Sequence, residues 1–362
     1  MADASQAQSS RNASQAPLQP QKIPDLIRSF RAVKLFSNPG YVTSLDFDDQ
    51  GDFLVAAGED EVIQIYDVKE GKSTKSVPSK KYGVHLARFT HHSRQVLHAS
   101  TKDQNKVDHS LRLLDVHNEG YVRYFSGHTD QVTALTVSPG GDQFVSCSKD
   151  NTVALWDLAS RNVQGRLHLA TPYLVAFDPS ASVLAIASQS TSSILLYDFR
   201  NYDKPPFSTF DLSTYEELYT PSTRGRAWTK LEFSNDGKSL LIGTDYHGHY
   251  ILDAFDGSVK AFLTGKRGPT GRAAPVSSTG KPLGQGDACF TPDGRYVLGG
   301  NGDQNEMLVW DLQQEGDENR KLQPMSRLAN RGRTSIIEYN PRYNMIASTD
   351  KDTIFWLPEE AK

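Results

Sequence analysis

From Ile23 onward the chain is written in short apolar runs of four to seven residues, rich in Val, Ile, Leu, Phe and Tyr. Polar turns such as Asp-Gly, Pro-Gly and Ser-Lys-Asp separate them. Runs this short, bounded by glycine, proline and aspartate, predict β-strands joined by hairpins. The runs also recur. An aliphatic or aromatic residue followed by aspartate closes a run at Tyr66-Asp67, Leu114-Asp115, Trp156-Asp157, Tyr197-Asp198, Leu252-Asp253 and Trp310-Asp311, and Trp356-Leu357 is a seventh copy without its acid. The steps between them are 48, 42, 41, 55, 58 and 46 residues. A four-stranded propeller blade takes roughly 40 to 45 residues, so the pattern predicts an all-β, seven-bladed β-propeller with insertions in the two longest steps.

The unit is most complete from Gly127-His128 through runs at 132–137, 144–148 and 152–156, divided by Pro139-Gly140-Gly141-Asp142 and Lys149-Asp150-Asn151. The unit resembles the WD repeat, and the resemblance implies that His128, Ser146, Asp150 and Trp156 form one hydrogen-bonded chain. A histidine and an aspartate could also make a catalytic dyad, but their spacing is that of the repeat. Buried polar groups need partners, and the four residues are expected to lock the blade. Outer-strand candidates follow the dipeptides at 121–126, 207–212, 258–263 and 325–328. The last copy has none, because the chain ends six residues past Trp356, and the unused apolar run is 30–36. The ring is therefore expected to close by donation of an N-terminal strand, which covers an otherwise free edge.

Residues 1–24 are mostly Ala, Ser, Gln and Pro, with too little apolar surface to offset ordering entropy, and are read as a disordered tail ahead of a propeller over 25–362. A loop at about 265–285 is read as an insertion; from Lys266 to Lys281 it holds four positive charges and no acid, and is expected to be mobile.

Composition narrows the classes. The 362 residues are 37% hydrophobic, enough for a large core, and the net charge of −4 excludes a general binder of nucleic acid or membrane surfaces. Two cysteines, Cys147 and Cys289, exclude a disulfide framework, and no apolar stretch is long enough to span a bilayer. Two Gly-Lys-Ser triplets, at 71–73 and 237–239, lack the earlier glycine of a phosphate loop, having Tyr66 and Glu232 there. His85, His91, His92, His98, His247 and His249 have no cysteines or carboxylates at metal-site spacing. No nucleophile elbow or kinase signature occurs, so no enzymatic activity, cofactor, metal or small-molecule substrate is expected.

Charge is segregated along the chain. Residues 42–67 contain eight acids and no Lys or Arg, whereas 69–106 contain nine Lys or Arg against Glu70 and Asp103. Either neighbouring blades balance this sector, or it docks an acidic or phosphorylated peptide. A second basic group is Arg327, Arg331, Arg333 and Arg342. Tyr82 and Trp228 fall just before inner strands, where an aromatic residue either packs between blades or anchors an interface. The candidate partner-binding residues are Lys80, Lys81, Tyr82, Trp228, Arg331 and Arg333.

Several segments are more specific than the repeat: Ser29-Phe30-Arg31, Ser79-Lys80-Lys81-Tyr82-Gly83-Val84, Tyr121-Val122-Arg123-Tyr124-Phe125 before Gly127-His128, Phe233-Ser234-Asn235-Asp236-Gly237-Lys238 and Phe355-Trp356-Leu357-Pro358. Through them the chain resembles the WD-repeat subunit of COMPASS, the complex that methylates lysine 4 of histone three, over about Leu26 to Pro358. The resemblance implies a nuclear, non-catalytic adaptor that holds the N-terminal region of the methyltransferase subunit and links it to RNA polymerase II and ubiquitinated nucleosomes. In fungi that subunit is shared with the phosphatase module of the mRNA cleavage and polyadenylation factor. The other reading, from the basic sector, is direct binding of nucleic acid or of the phosphorylated polymerase tail.

Overall fold

The computed structural model describes residues 22–103, 106–188, 190–220, 228–268 and 286–359. Most of the expected tail and of the expected insertion lies outside the described residues. Seven antiparallel sheets follow one another along the chain, each entered at its inner strand: Val42–Phe47, His85–Phe89, Val132–Val137, Leu174–Phe177, Trp228–Phe233, Ala288–Phe290 and Ile336–Tyr339 open blades 1 to 7. The last sheet takes its outer strand from the N-terminal side, where Phe30–Phe36 pairs antiparallel with Thr353–Pro358 from Phe30↔Pro358 to Phe36↔Thr353. Ile23 and Pro24, grouped with the tail in the sequence reading, begin a short helix, α1 (Ile23–Leu26), and Leu26, Ile27 and Phe30 are buried beneath the last blade.

The runs form strands of two burial types. Second and third strands are covered on both faces by adjacent blades, and Phe144, Val145, Ser146, Cys147 and Ser148 are all buried in succession. Outer strands alternate instead, as in Gly120–Phe125, because one face meets water. Seven apolar clusters fill the seven gaps between blades. The gap between the last blade and the first holds Ile336, Ala347 and Phe355 against Leu45, Leu54 and Tyr66, so the ring is closed by core packing as well as by a strand.

The inner strands leave one backbone edge facing the central channel, and those N–H groups need acceptors. Side chains of the preceding blade supply some: Ser44 Oγ accepts from Ala87 N at 3.0 Å and Asp46 Oδ2 from Phe89 N at 2.7 Å. Glu232 Oε1 does the same for Phe290 N at 3.3 Å. Blade 5 carries a fifth strand, Lys321–Leu322, parallel to its outer strand Val259–Leu263. Among the described residues no helix is long and apolar enough to cross a membrane.

Candidate partner-binding face

Strands within a blade alternate in direction. Connections between blades, and those from second to third strand, therefore emerge together at one end of the ring. Three departures from the repeat lie there. A two-stranded hairpin, Lys102–Asp103 with Lys106–Val107, extends blade 2. Helix α2 (Ser213–Tyr219) precedes blade 5, and the insertion precedes blade 6. Lys80, Lys81, Tyr82, Arg331 and Arg333 sit on other connections at this end, and Trp228 opens an inner strand from it.

Tyr82 is held in a tight turn. Ser79 O accepts from Tyr82 N at 3.1 Å and Gly83 N at 2.7 Å, and Gly83 takes φ +66°, which suits glycine. The Tyr82 carbonyl accepts from Thr101 N and Lys102 N, both at 3.0 Å, tying the turn to the hairpin. The ring is 9% exposed and meets Tyr121 edge-on at 5.0 Å and Tyr124 at 6.2 Å. The Arg112 guanidinium lies 3.8 Å from its centroid, and Lys81 Nζ approaches at 4.8 Å. Hydrogen bonding to Lys81 holds the Tyr82 phenol below its ordinary pKa. Arg112 is buried, bonded to Asp108 at 2.7 Å and to Ser100. The sequence reading missed Arg112, Tyr124 and the hairpin; the 48-residue step into Leu114, longer than a plain blade, was their available signal.

Trp228 is differently placed. It is 2% exposed, packed in the cluster between blades 4 and 5, and its Nε1 donates to Glu216 Oε1 of α2 at 2.9 Å. A ring with almost no exposed surface has none to offer a partner, which corrects its reading as a contact in favour of packing between blades. Arg331 is exposed, whereas Arg333 Nε donates to Gly302 O at 3.2 Å. Arg327 pairs with Glu306 on blade 6, and Arg342 lies in a turn at the opposite end, bonded to Asp49 O. These four arginines do not form one group.

The basic sector is largely balanced. Lys69 meets Asp52 at 2.9 Å, Lys102 meets Glu61 at 2.8 Å and Lys75 meets Glu119 at 3.3 Å. Two of those acids come from the acidic run 42–67, so folding brings the segregated charges together. Such partly exposed pairs add little stability, but they reduce the field available to a polyanion.

The WD chain of blade 3 is laid out in full. His128 Nδ1 lies 3.0 Å from Asp150 Oδ2 and Nε2 2.7 Å from Ser146 Oγ, which accepts from Trp156 Nε1 at 2.9 Å. Burial lowers the His128 pKa, and the neutral ring fits a serine that donates to it. Burial works against Asp150 too, but bonds from Thr152, Thr129 N and His128 outweigh it and bring its carboxyl to about 2. Blade 7 keeps half of this chain, Trp356 Nε1 to Ser348 Oγ at 2.9 Å. Ahead of blade 6, Gly265-Lys266 follows the outer strand of blade 5 as Gly127-His128 follows that of blade 2 ahead of blade 3. Lys266 is wholly buried, 2.9 Å from Asp287 and donating to Thr244 O at 2.8 Å. Lys266, read from sequence as part of a mobile loop, is thus a core residue.

The channel borders a cavity of about 370 Å³ lined by Arg88, Thr133, Trp228, Lys230, Glu232 and Glu338. Lys230 Nζ lies 2.7 Å from Glu338 and 3.1 Å from Glu232. Burial disfavours its charge, yet the two carboxylates raise its pKa overall. Asp46 is pushed up to about 7 by burial. These acids are occupied in joining blades, as acceptors of backbone N–H groups and partners of Lys230. His249, also buried, is lowered to about 3 and accepts from Thr244 N at 3.1 Å.

Comparison with known proteins agrees with this geometry. The WD domain, G-beta repeat model matches residues 30–67 and 120–157. WD repeat-containing protein 82 of Drosophila melanogaster is 36% identical over 93% of this chain and 96% of its own. The Set1 complex component swd2 of Schizosaccharomyces pombe is 33% identical over 92% and 98%, and the COMPASS component SWD2 of Saccharomyces cerevisiae is 33% identical over 93% and 98%. Aligned with these proteins along nearly its whole length, the chain belongs to the SWD2 and WD repeat-containing protein 82 family of WD-repeat propellers.

Proposed function

We propose that this protein is a non-catalytic scaffold subunit of a nuclear, COMPASS-type complex that methylates lysine 4 of histone three, and that it also serves the mRNA cleavage and polyadenylation machinery. The observation that carries the first part is the near end-to-end match to relatives named as Set1 complex and COMPASS components. A rigid ring suits this role. It offers preorganised surface, so a partner segment that orders on binding bears most of the entropic cost. Its partners would be the N-terminal region of the methyltransferase subunit and the phosphatase-module subunits of the polyadenylation factor. Lys80 and Lys81 are the contacts first in line, backed by the Tyr82 ring, and Arg331 and Arg333 are a second set on the same end of the ring.

Affinity purification of the tagged chain followed by mass spectrometry tests this. Methyltransferase subunits and polyadenylation subunits are expected together with the bait. Recovery of neither set would defeat the reading, and recovery of the first alone would defeat its second half.

A further inference from the structure

The rim between blades 1 and 2 joins apolar surface to positive charge. Val107, at the end of the hairpin, is 76% exposed, and Tyr124 on the outer strand is 41% exposed. One line of contacts connects them: Val107 adjoins Asp108, Asp108 holds Arg112, and the Arg112 guanidinium lies 5.4 Å from the Tyr124 centroid. Lys80, Lys81 and Lys106 are exposed around this line. Lys102 and Arg112 lie beside them, and the described acids of this rim are Asp108 and, in the blade 1 turn, Glu59, Asp60 and Glu61. Glu61 and Asp108 already serve Lys102 and Arg112.

Resting on the scaffold reading above, we infer that this rim docks an extended, carboxylate-rich segment of a partner subunit, with one large apolar side chain of that segment set against Val107 and Tyr124. Charge complementarity selects an acidic occupant and the exposed apolar pair selects an anchor. The cation type argues for spread point-charge contacts over a bidentate clamp. A bidentate clamp needs an open guanidinium fork, and the rim's one arginine is 3% exposed, bonded to Asp108 and stacked on tyrosines. The exposed cations are lysines, which act as point charges spread along the rim. Tyr82, 9% exposed, backs the site while Tyr124 touches the segment.

A photo-crosslinking phenylalanine analogue placed at Val107, and separately at Tyr124, in the full-length chain purified with its complex tests this. Crosslinked peptides are sequenced. The expected product is a segment of net negative charge containing Leu, Ile, Phe or Tyr. A Lys80→Glu/Lys106→Glu background should cut its yield by about tenfold through like-charge repulsion while leaving the melting temperature unchanged. Crosslinks to a neutral or basic segment, to nucleic acid, or to a segment lost on phosphatase treatment overturn the inference, as does a yield indifferent to the two reversals. A complex recovered intact with no crosslink at either position removes this inference alone. Failure to recover any complex removes the scaffold reading and this inference with it.

Discussion

Lys266 and Asp287 approach to 2.9 Å across the base of the insertion, both side chains almost wholly withdrawn from water. The lysine stands where blade 3 has His128, and its aspartate immediately precedes the inner strand of blade 6, so a buried lysine–aspartate ion pair stands where blade 3 uses a neutral histidine. Removing one member leaves the other charge buried and uncompensated. Lys266→Met or Asp287→Leu alone is expected to lower unfolding free energy by about 3–5 kcal/mol, and the double replacement by much less. Urea denaturation of the four proteins checks this. Additive losses would show that the two charges are not coupled.

Trp228 separates structural from partner-binding roles. Its ring fills the gap between blades 4 and 5 and its indole N–H is taken by Glu216. Trp228→Ala should cost about 3–5 kcal/mol through the cavity it leaves, and Trp228→Phe about 1 kcal/mol for the hydrogen bond. The Phe variant, still folded, is expected to retain every partner. Selective loss of one partner from a stable Trp228→Phe protein would make Trp228 a contact after all.

The periodic signals carried most of the fold. Seven closing dipeptides, the run 30–36 and the turn residues needed only local chemistry to be read, and each corresponds to an observed strand or hairpin. Trp228 was ambiguous because an aromatic residue ahead of an inner strand has the same sequence context whether a helix covers it or water does. The cover, α2, comes from a connection that no repeat predicts. Arg112 lay inside a regular strand and looked like any alternating polar position. Its stack on Tyr82 depends on the hairpin 102–107 folding the connection back, a long-range contact with no local trace. The charge segregation was legible, but its neutralisation by pairs such as Lys102 with Glu61 is a property of the assembled ring.

Two histidines should respond to pH in opposite senses. His91 has acceptors on both ring nitrogens, Asp49 Oδ2 at 2.7 Å and Ser138 O at 2.9 Å, and so joins the turns of blades 1, 2 and 3 only when protonated. The hydrogen bond to Asp49 raises its pKa. Its contribution is fully present below the unfolded value near 6.5 and is lost as pH rises through the higher folded value. His128 is lowered by burial, so its contribution is present above about 6.5 and falls away as pH drops toward the lower folded value. Denaturation midpoints between pH 5 and pH 9, taken for the parent chain, His91→Asn and His128→Asn, are expected to converge for the first variant at high pH and for the second at low pH. The reverse pattern would contradict the assigned protonation states.

Closure by the N-terminal strand makes a sharper claim, because it concerns the whole ring. Phe30 is fully buried, 6.0 Å edge-on from Tyr339, and Phe36 packs at 5.0 Å on Phe355. Phe30→Ala is expected to cost about 3–5 kcal/mol. Deleting residues 22–37 should expose the edge of Thr353–Pro358 and give aggregation or early melting, since an unpaired apolar edge recruits other chains. A synthetic peptide of residues 22–37 added to the deletion protein should raise its melting temperature in a concentration-dependent way, as mass action requires of anything that binds the folded state alone. Removing residues 1–21, by contrast, should leave the transition where it was. A deletion protein that stays soluble and unfolds with unaltered cooperativity, indifferent to the peptide, would mean that core packing between blades 7 and 1 closes the ring without the strand.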